Sequence, residues 1–318
     1  MAVLTLALPA GLICAESKTL YLRLAELHPS DHPTSKGDRE FARQVAELSK
    51  GRIQVEVYDN GVLGDELSVM EQLRFGAIDL ARVSIASVQP FVPQLAALFL
   101  PYLYRDDDHL WKVLSGPVGQ QLLADLKAGG QIGIGWFEAG ARSFYTARTK
   151  LQRASDLVGL RIRVQESPPM VRLVETLGAK ALPLPFPNVY SGLRTGALDG
   201  AENNLVTYYA SSHYQVAPFF TLDEHARLPE LLIGSPLAFS QISQADQALL
   251  LQAAAAAAVT QRAAFQSYEA EIRDKLVTAG VTFFEPVDLA SWQARARRIW
   301  SEQTPQVREL LERIRNTQ

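Results

Sequence analysis

Three arginines stand where they could hold an anion. Arg142 lies two residues after Gly140 in AGARSFY. Arg161 and Arg163 alternate in LRIRV, a strand-like run that puts both on one face of a sheet. A guanidinium grips a carboxylate through two parallel hydrogen bonds, so a strand end opening on a cleft is where such a residue is useful. Asn203 and Asn204 follow; an amide supplies donor and acceptor together, as a hydroxyl-rich ligand requires. Trp136, Tyr145, Tyr190 and Tyr208 could add aromatic faces. Each feature has an ordinary alternative: surface ion pairs for arginine, turns for paired asparagines, core packing for aromatics.

Other chemistries find less. A Gly-x-Ser-x-Gly elbow, a Walker phosphate loop and His-Glu-x-x-His are absent from the chain. The run GGQIGIGWFEAG (129–140) resembles a dinucleotide loop, but Glu138 occupies the third-glycine position, so these glycines read as strand and turn residues. His28 and His32 have the spacing of metal ligands, yet two prolines sit among them and no third strong ligand lies nearby. Without a nucleophile–base pair, no catalytic residue is expected, and neither a metal nor a cofactor.

The elements that must position these residues follow from periodicity. Tyr21, Leu22, Leu24 and Ala25 mark a strand. Pro33-Thr34-Ser35 opens a helix carrying Phe41, Val45 and Leu48, closed by Gly51. Ile53, Val55 and Val57 alternate as a strand ended by Asn60-Gly61; Leu67, Met70 and Leu73 mark a helix, and 78–85 a strand. This βαβα order predicts an α/β fold with largely parallel sheets. The middle repeats the logic, with a strand at 161–164 and a helix opened by Pro168-Pro169 that carries Met170, Leu173, Val174 and Leu177. One long Ala- and Gln-rich helix is predicted from about 243 to 277, with further helices near 287–300 and 302–315. The segments LRFGAID (73–79) and LRTGALD (193–199) agree at five of seven positions, 120 residues apart. That echo predicts two lobes on one βα plan, with ligand at the carboxyl ends of the strands between them.

Composition sets outer bounds. The 318 residues carry 31 Lys plus Arg against 34 Asp plus Glu, a net charge of -3, so no strong positive field draws nucleic acid or anionic lipid. Hydrophobic residues at 47% exclude a disordered chain. The one cysteine, Cys14, excludes an intramolecular disulfide and a multi-thiolate zinc site. It sits in residues 1–15 (MAVLTLALPAGLICA), an uncharged run that reads as a signal peptide with Ala15 at the cleavage point, although a basic n-region is missing. A buried N-terminal strand is the alternative. No later stretch reaches roughly 18–20 uninterrupted apolar residues, so an exported product without membrane insertion is expected.

From about Leu20 to about Ala294 the chain resembles the solute-binding proteins of tripartite ATP-independent periplasmic (TRAP) transporters. The segments that carry the resemblance are GDELSVMEQLRFGAIDLARVS (64–84), GARSFYT (140–146), DLVGLRIRV (156–164) and NVYSGLRTGALDGAENN (188–204). The resemblance implies a two-lobed α/β periplasmic binding protein (Venus flytrap) fold with a long helix spanning both lobes. Residues 16–140 plus about 232–265 would form the first lobe, and 141–231 plus part of the C-terminal region the second. The long helix would run over about 243–277, and 278–318 would be C-terminal helices. By the same likeness Arg163 bridges the ligand carboxylate, Arg142 is a second carboxylate-side arginine, and Asn203 is the asparagine of a Glu-Asn motif. Membrane permease subunits are the implied partner and the periplasm the implied compartment.

AELHPSDHPT (25–34), RVQ (163–165), GAENN (200–204) and LDEHARLPE (222–230) also resemble a branch that binds hexuronates such as glucuronate and galacturonate. That likeness adds His28, Glu66, Arg82, Gln165, Asn204, Tyr208 and His225 as contacts to sugar hydroxyls or the carboxylate. The chain departs from the branch at Glu166, Asn188, Arg194 and Leu205. A negative charge at Glu166 would repel a second carboxylate or face solvent. A C4-dicarboxylate, an aldonate or another hydroxy or keto acid is the alternative ligand, and an exported enzyme acting on a hydroxy acid the more remote reading.

Overall fold

The computed structural model describes residues 19–318; the expected signal peptide at 1–15, with Cys14, lies outside these residues. Two sheets form. The first runs β2 (Ile53–Tyr58), β1 (Leu20–Ala25), β3 (Leu80–Ser84), β11 (Glu230–Gly234), β4 (Ile132–Phe137). The second runs β12 (Thr282–Phe284), β9 (Phe219–Thr221), β5 (Ala141–Thr146), β8 (Gly200–Asn204), β6 (Arg161–Val164), β7 (Lys180–Pro183), with β10 (Ala226–Arg227) paired to β5. The sheets are mixed rather than largely parallel. β1 pairs β2 and β3 in parallel, as β6 pairs β7 and β8, but β11 and β5 enter antiparallel. The cause is topological: the chain leaves the first sheet at β4, crosses through 138–140 into β5, and returns through 228–229 into β11.

The echo seen in the sequence is a repeat in space. Glu66–Arg74 and Val189–Thr195 are helices followed by Gly76 and Gly196, at φ +69° and +75°. This left-handed backbone costs glycine least. Each is followed by an aspartate that ties the two strands of its unit. Asp79 Oδ2 accepts from the Arg23 backbone N–H at 2.8 Å, and Asp199 Oδ2 accepts from the Arg161 backbone N–H at 2.8 Å. Arg161 therefore serves as a structural clasp, its Nε and Nη2 also binding Asp199 at 2.9 and 2.7 Å. The following strands end in equivalent caps. Ser84 Oγ accepts from Ala86 N–H at 3.3 Å, and Asn204 Oδ1 accepts from Thr207 N–H at 2.7 Å.

The helix Pro33–Leu48 starts as its sequence predicts, with His32 as N-cap and Pro33 in the first turn. The long helix is Gln244–Thr278, capped by Ser243. Its Leu250, Ala253, Ala254 and Ala257 pack in the first unit with Phe41, Val45 and Phe137, whereas Phe265, Ile272 and Leu276 pack with Tyr145 and Phe220 of the second. Small residues bring Pro33–Leu48 close to it; a Cβ on Gly37 would lie 2.5 Å from Gln261 Cγ. Gln261 is fully buried and clasps the first crossing segment, accepting from Glu138 N–H at 2.8 Å and donating to Glu138 C=O at 2.9 Å. By length and composition this helix could cross a membrane, but its lower half carries Arg262, Glu269, Glu271, Arg273, Asp274 and Lys275.

Candidate ligand-binding cleft

Between the strand ends of the two sheets lies a cleft enclosing about 60 Å³, lined from the first side by His28, Glu66, Ser84 and Ser87 and from the second by Arg142, Arg163, Gln165, Glu166, Phe186, Asn203 and Thr207. One hydrogen bond spans it, from Gln165 Nε2 to Ser84 Oγ at 2.9 Å. The two sides are therefore in contact, as in a closed jaw.

The two cleft arginines differ. Arg142 is locked: its Nε donates to Glu202 Oε2 at 2.6 Å, Nη2 to Glu202 Oε1 at 3.0 Å and to Glu202 C=O at 3.1 Å, and Nη1 to Asn203 Oδ1 at 3.0 Å. Arg163, only 3% exposed, donates from Nε to the Leu184 carbonyl at 2.9 Å and has no carboxylate within ion-pair distance among the described residues. Burial pushes its guanidinium below the ordinary arginine value, and the Arg142 charge adds to that; Glu202 acts against it. A buried cation without an anion is an unmet electrostatic demand. Its guanidinium carbon stands 5.9 Å over the ring of Phe186.

Six of the ten candidates from the sequence line the cleft: His28, Glu66, Arg142, Arg163, Gln165 and Asn203. Glu66 accepts from Ser84 N–H at 2.7 Å and from Ser87 Oγ at 2.6 Å. His28 Nδ1 lies 2.9 Å from Glu26 Oε1. Asn203 spends its oxygen on Arg142 and on Asn204 N–H, which leaves its NH₂ group as a donor.

The other four do not line it, and each has a structural occupation. Arg82 is enclosed by Glu26, Asp38 and Glu230. Asn204 caps the helix Leu205–Ala210. Tyr208 donates its hydroxyl to the Ala217 carbonyl at 2.8 Å. His225 sits between Asp223, 2.7 Å from Nδ1, and Glu202, 3.6 Å from Nε2. The aromatic candidates Trp136, Tyr145 and Tyr190 are likewise bound elsewhere, to Gly119, His213 and Gln215. The aromatic face in the cleft is Phe186, which the sequence reading missed; its signal was PLPFPN, where prolines on both sides stiffen an otherwise loop-like segment.

Buried charges set the cleft's electrostatics. Burial alone would raise Glu202, but the Arg142 charge and its hydrogen bonds, with His225 Nε2 3.6 Å away, hold it down to about 2. Burial would lower His225, but Asp223 and Glu202 raise it to about 9. Under Arg82, burial favours the neutral form of both acids; Arg82 and His28 nevertheless hold Glu26 well below the carboxylate range, while the Glu26 charge drives Asp38 well above it. His28 and His32 do not converge on a shared point; their rings stack at 4.0 Å, and among the described residues no group of three metal-ligating side chains forms.

Two matched lobes with an anion-seeking arginine between them describe a small-solute receptor. Residues 24–306 match the bacterial extracellular solute-binding proteins of family 7, and the chain belongs to that family, the solute-binding proteins of TRAP transporters. A solute-binding protein of Chromohalobacter salexigens is 33% identical over 295 residues, 92% of this chain and 88% of that one. A TRAP periplasmic solute-binding protein of Bradyrhizobium with bound galacturonate is 34% identical, with a TM-score of 0.92 over 93% of this chain and 99% of that one. A counterpart from Pseudomonas putida with bound D-glucuronate is 31% identical, with a TM-score of 0.91 over 94% and 98%.

Proposed function

We propose that this protein captures a hexuronate, glucuronate or galacturonate, in the cleft and delivers it to TRAP permease subunits, acting as a receptor and not as an enzyme. The observation that carries the reading is Arg163, a buried guanidinium without a carboxylate partner among the described residues. The ligand carboxylate pairs with it. The Asn203 amide and the spare Arg142 N–H add donors, and Glu66 accepts from ring hydroxyls. Phe186 offers its face to the apolar side of the sugar. The lobes that close are residues 16–140 with about 232–265, and 141–231 with part of the C-terminal region. Closure follows only from contacts stronger in the closed form, and ligand-bridged contacts beside the Gln165–Ser84 bond are of that kind. Residues 1–15 act as the export signal in this reading.

The test is Arg163→Ala, titrated calorimetrically with D-glucuronate and D-galacturonate. Leaving a buried carboxylate unpaired costs roughly 3–5 kcal/mol, so affinity should fall roughly 200- to 5,000-fold while the protein stays folded. Wild-type affinity in the variant, or equal binding of glucose and glucuronate by the wild type, would overturn the assignment.

A further inference from the structure

The charged groups around the cleft are unequal once internal pairs are removed. Arg142 is neutralised by Glu202, and Glu230, which also lines the cleft, is paired with Arg82. What remains among the described lining residues is one arginine, Arg163, against the carboxylates of Asp65, Glu66 and Glu166, none of which has a cation within ion-pair distance. Asp65 is occupied as a helix cap, accepting from Ser68 N–H at 2.9 Å, which leaves Glu66 and Glu166 to face a ligand. Glu66 is held in place by Ser84 N–H and Ser87 Oγ, and it acts on the charge of Arg163 from within the cleft. The unmet polar atom beside it has the same character: Gln165 spends its Nε2 on Ser84, and its Oε1 is buried without a partner. Ionised carboxylates and amide oxygens only accept hydrogen bonds. Apart from the place taken by the ligand's carboxylate, this cleft therefore asks for hydroxyl donors and repels a second negative group.

Resting on the hexuronate reading, we propose that the cleft is a monoanion filter: Arg163 takes one carboxylate, and Glu66 and Glu166 turn away ligands that carry a second, namely aldaric acids and dicarboxylic acids. A hydroxyl group satisfies the Gln165 Oε1 and can add a bond to the lone pairs that Ser84 and Ser87 leave free on Glu66, whereas a carboxylate brought to the same place offers no donor to either and adds like-charge repulsion. Glu166 stands on the exposed rim, so its share is screened by salt; Glu66 is partly buried and keeps more of its effect. The departure at position 166 thereby becomes a determinant of selectivity.

The experiment compares ligands matched in chain but not in charge, D-galactonate with galactarate and D-gluconate with D-glucarate, beside D-glucuronate and D-galacturonate as the reference ligands, by calorimetry on the wild type, Glu166→Gln and Glu66→Gln. The readout is the ratio of affinities within each pair. In the wild type the dianion should bind on the order of 100-fold more weakly. Glu166→Gln should narrow that ratio several-fold, and less in 0.5 M salt than at low salt by roughly the screening expected of an exposed charge. Glu66→Gln should narrow it further; if that variant fails to fold, the rim variant still decides. Wild-type affinities for galactarate and galactonate within about threefold of one another, with hexuronates bound tightly, overturn the filter and leave the hexuronate reading intact. Tight binding of dicarboxylates with no binding of hexuronates overturns both.

Discussion

Position 82 on β3 and position 202 on β8 are equivalent in the two sheets, and they carry opposite charges. Leu80 and Ala81 pair with Leu24 and Ala25, as Gly200 and Ala201 pair with Ile162 and Arg163. On the other side Ser84 pairs with Glu230, as Asn204 pairs with Arg142. The first sheet thus buries an Arg82–Glu230 pair where the second buries Glu202–Arg142, the same bridge with its charges exchanged. One further step across the sheet the match fails: the counterpart of Arg163 is Ala25. A repeated scaffold therefore supports two closed ion clusters and one open cation. Saturated charges hold the strands in register, and the unsaturated one is left for a ligand.

The largest effect should come from testing that division directly. Arg82→Met leaves Glu26, Asp38 and Glu230 without their cation, and should cost about 3–5 kcal/mol in denaturant unfolding, as broken buried pairs do. Arg163→Met removes a buried charge without an anion, and should leave the unfolding midpoint unchanged or raise it. Equal losses from both substitutions would erase the distinction between closed and open sites. Next in size, Glu202→Gln releases Arg142 and His225; loss of charge-assisted bonds should cost about 1.5–3 kcal/mol. The freed Arg142 should also admit galactarate better relative to galactonate.

The pH dependence of the second cluster has a defined sign. His225 is raised from 6.5 to about 9, so its contribution is complete below about 6.5 and is lost as pH rises through 9. Glu202 is depressed from 4.5 to about 2, so its contribution is complete above 4.5 and is lost as pH falls through 2. His213, pushed by burial down to about 3, runs the other way from His225: its share is present above 6.5 and is lost as pH falls toward 3. The stability difference between wild type and His225→Gln should therefore shrink between pH 6.5 and 9. A difference that grows over that range would reverse the assigned charge of His225.

Elements with a periodic apolar face were readable from sequence, and so was the repeat, because LRFGAID and LRTGALD carry their glycines and aspartates at fixed spacing. The antiparallel strands were not. Nothing in ELLIG or ARSFYT says which sheet each will join, since that depends on where the chain crosses between lobes. Arg163, Arg142 and Asn203, singled out by residue type and spacing before any resemblance, stand in the cleft with Glu66, Gln165 and His28, which the resemblance added as ligand contacts, whereas Arg82, Asn204, Tyr208 and His225 do not line it. A polar residue that faces a ligand and one that faces a buried counter-charge look alike in sequence; only the partner separates them. Glu26, Asp38 and Glu202 were invisible as partners because an ion cluster has no periodicity.

The smallest effect is the most discriminating for the first cluster. Arg82 meets Glu26, Glu230 and Asp38, and a single guanidinium does not balance three ionised acids. Burial and the neighbouring Glu26 charge place the proton on Asp38, well above the usual aspartate value, while Glu26 stays ionised against Arg82. Asparagine is nearly the shape of a protonated aspartate, so Asp38→Asn should cost within about 1 kcal/mol at neutral pH. Glu26→Gln, which removes the charge Arg82 needs, should cost several times more. The sign with pH follows from the raised carboxyl: stability from the protonated Asp38 is fully present below about 3.9 and falls as pH rises through its folded value, and asparagine does not titrate. The variant should thus gain on the wild type as the solution becomes alkaline, read from urea unfolding at increasing pH. If Asp38→Asn is as damaging as Glu26→Gln and loses ground at high pH, Asp38 is ionised and the first cluster holds more negative charge than its mirror in the second sheet can explain.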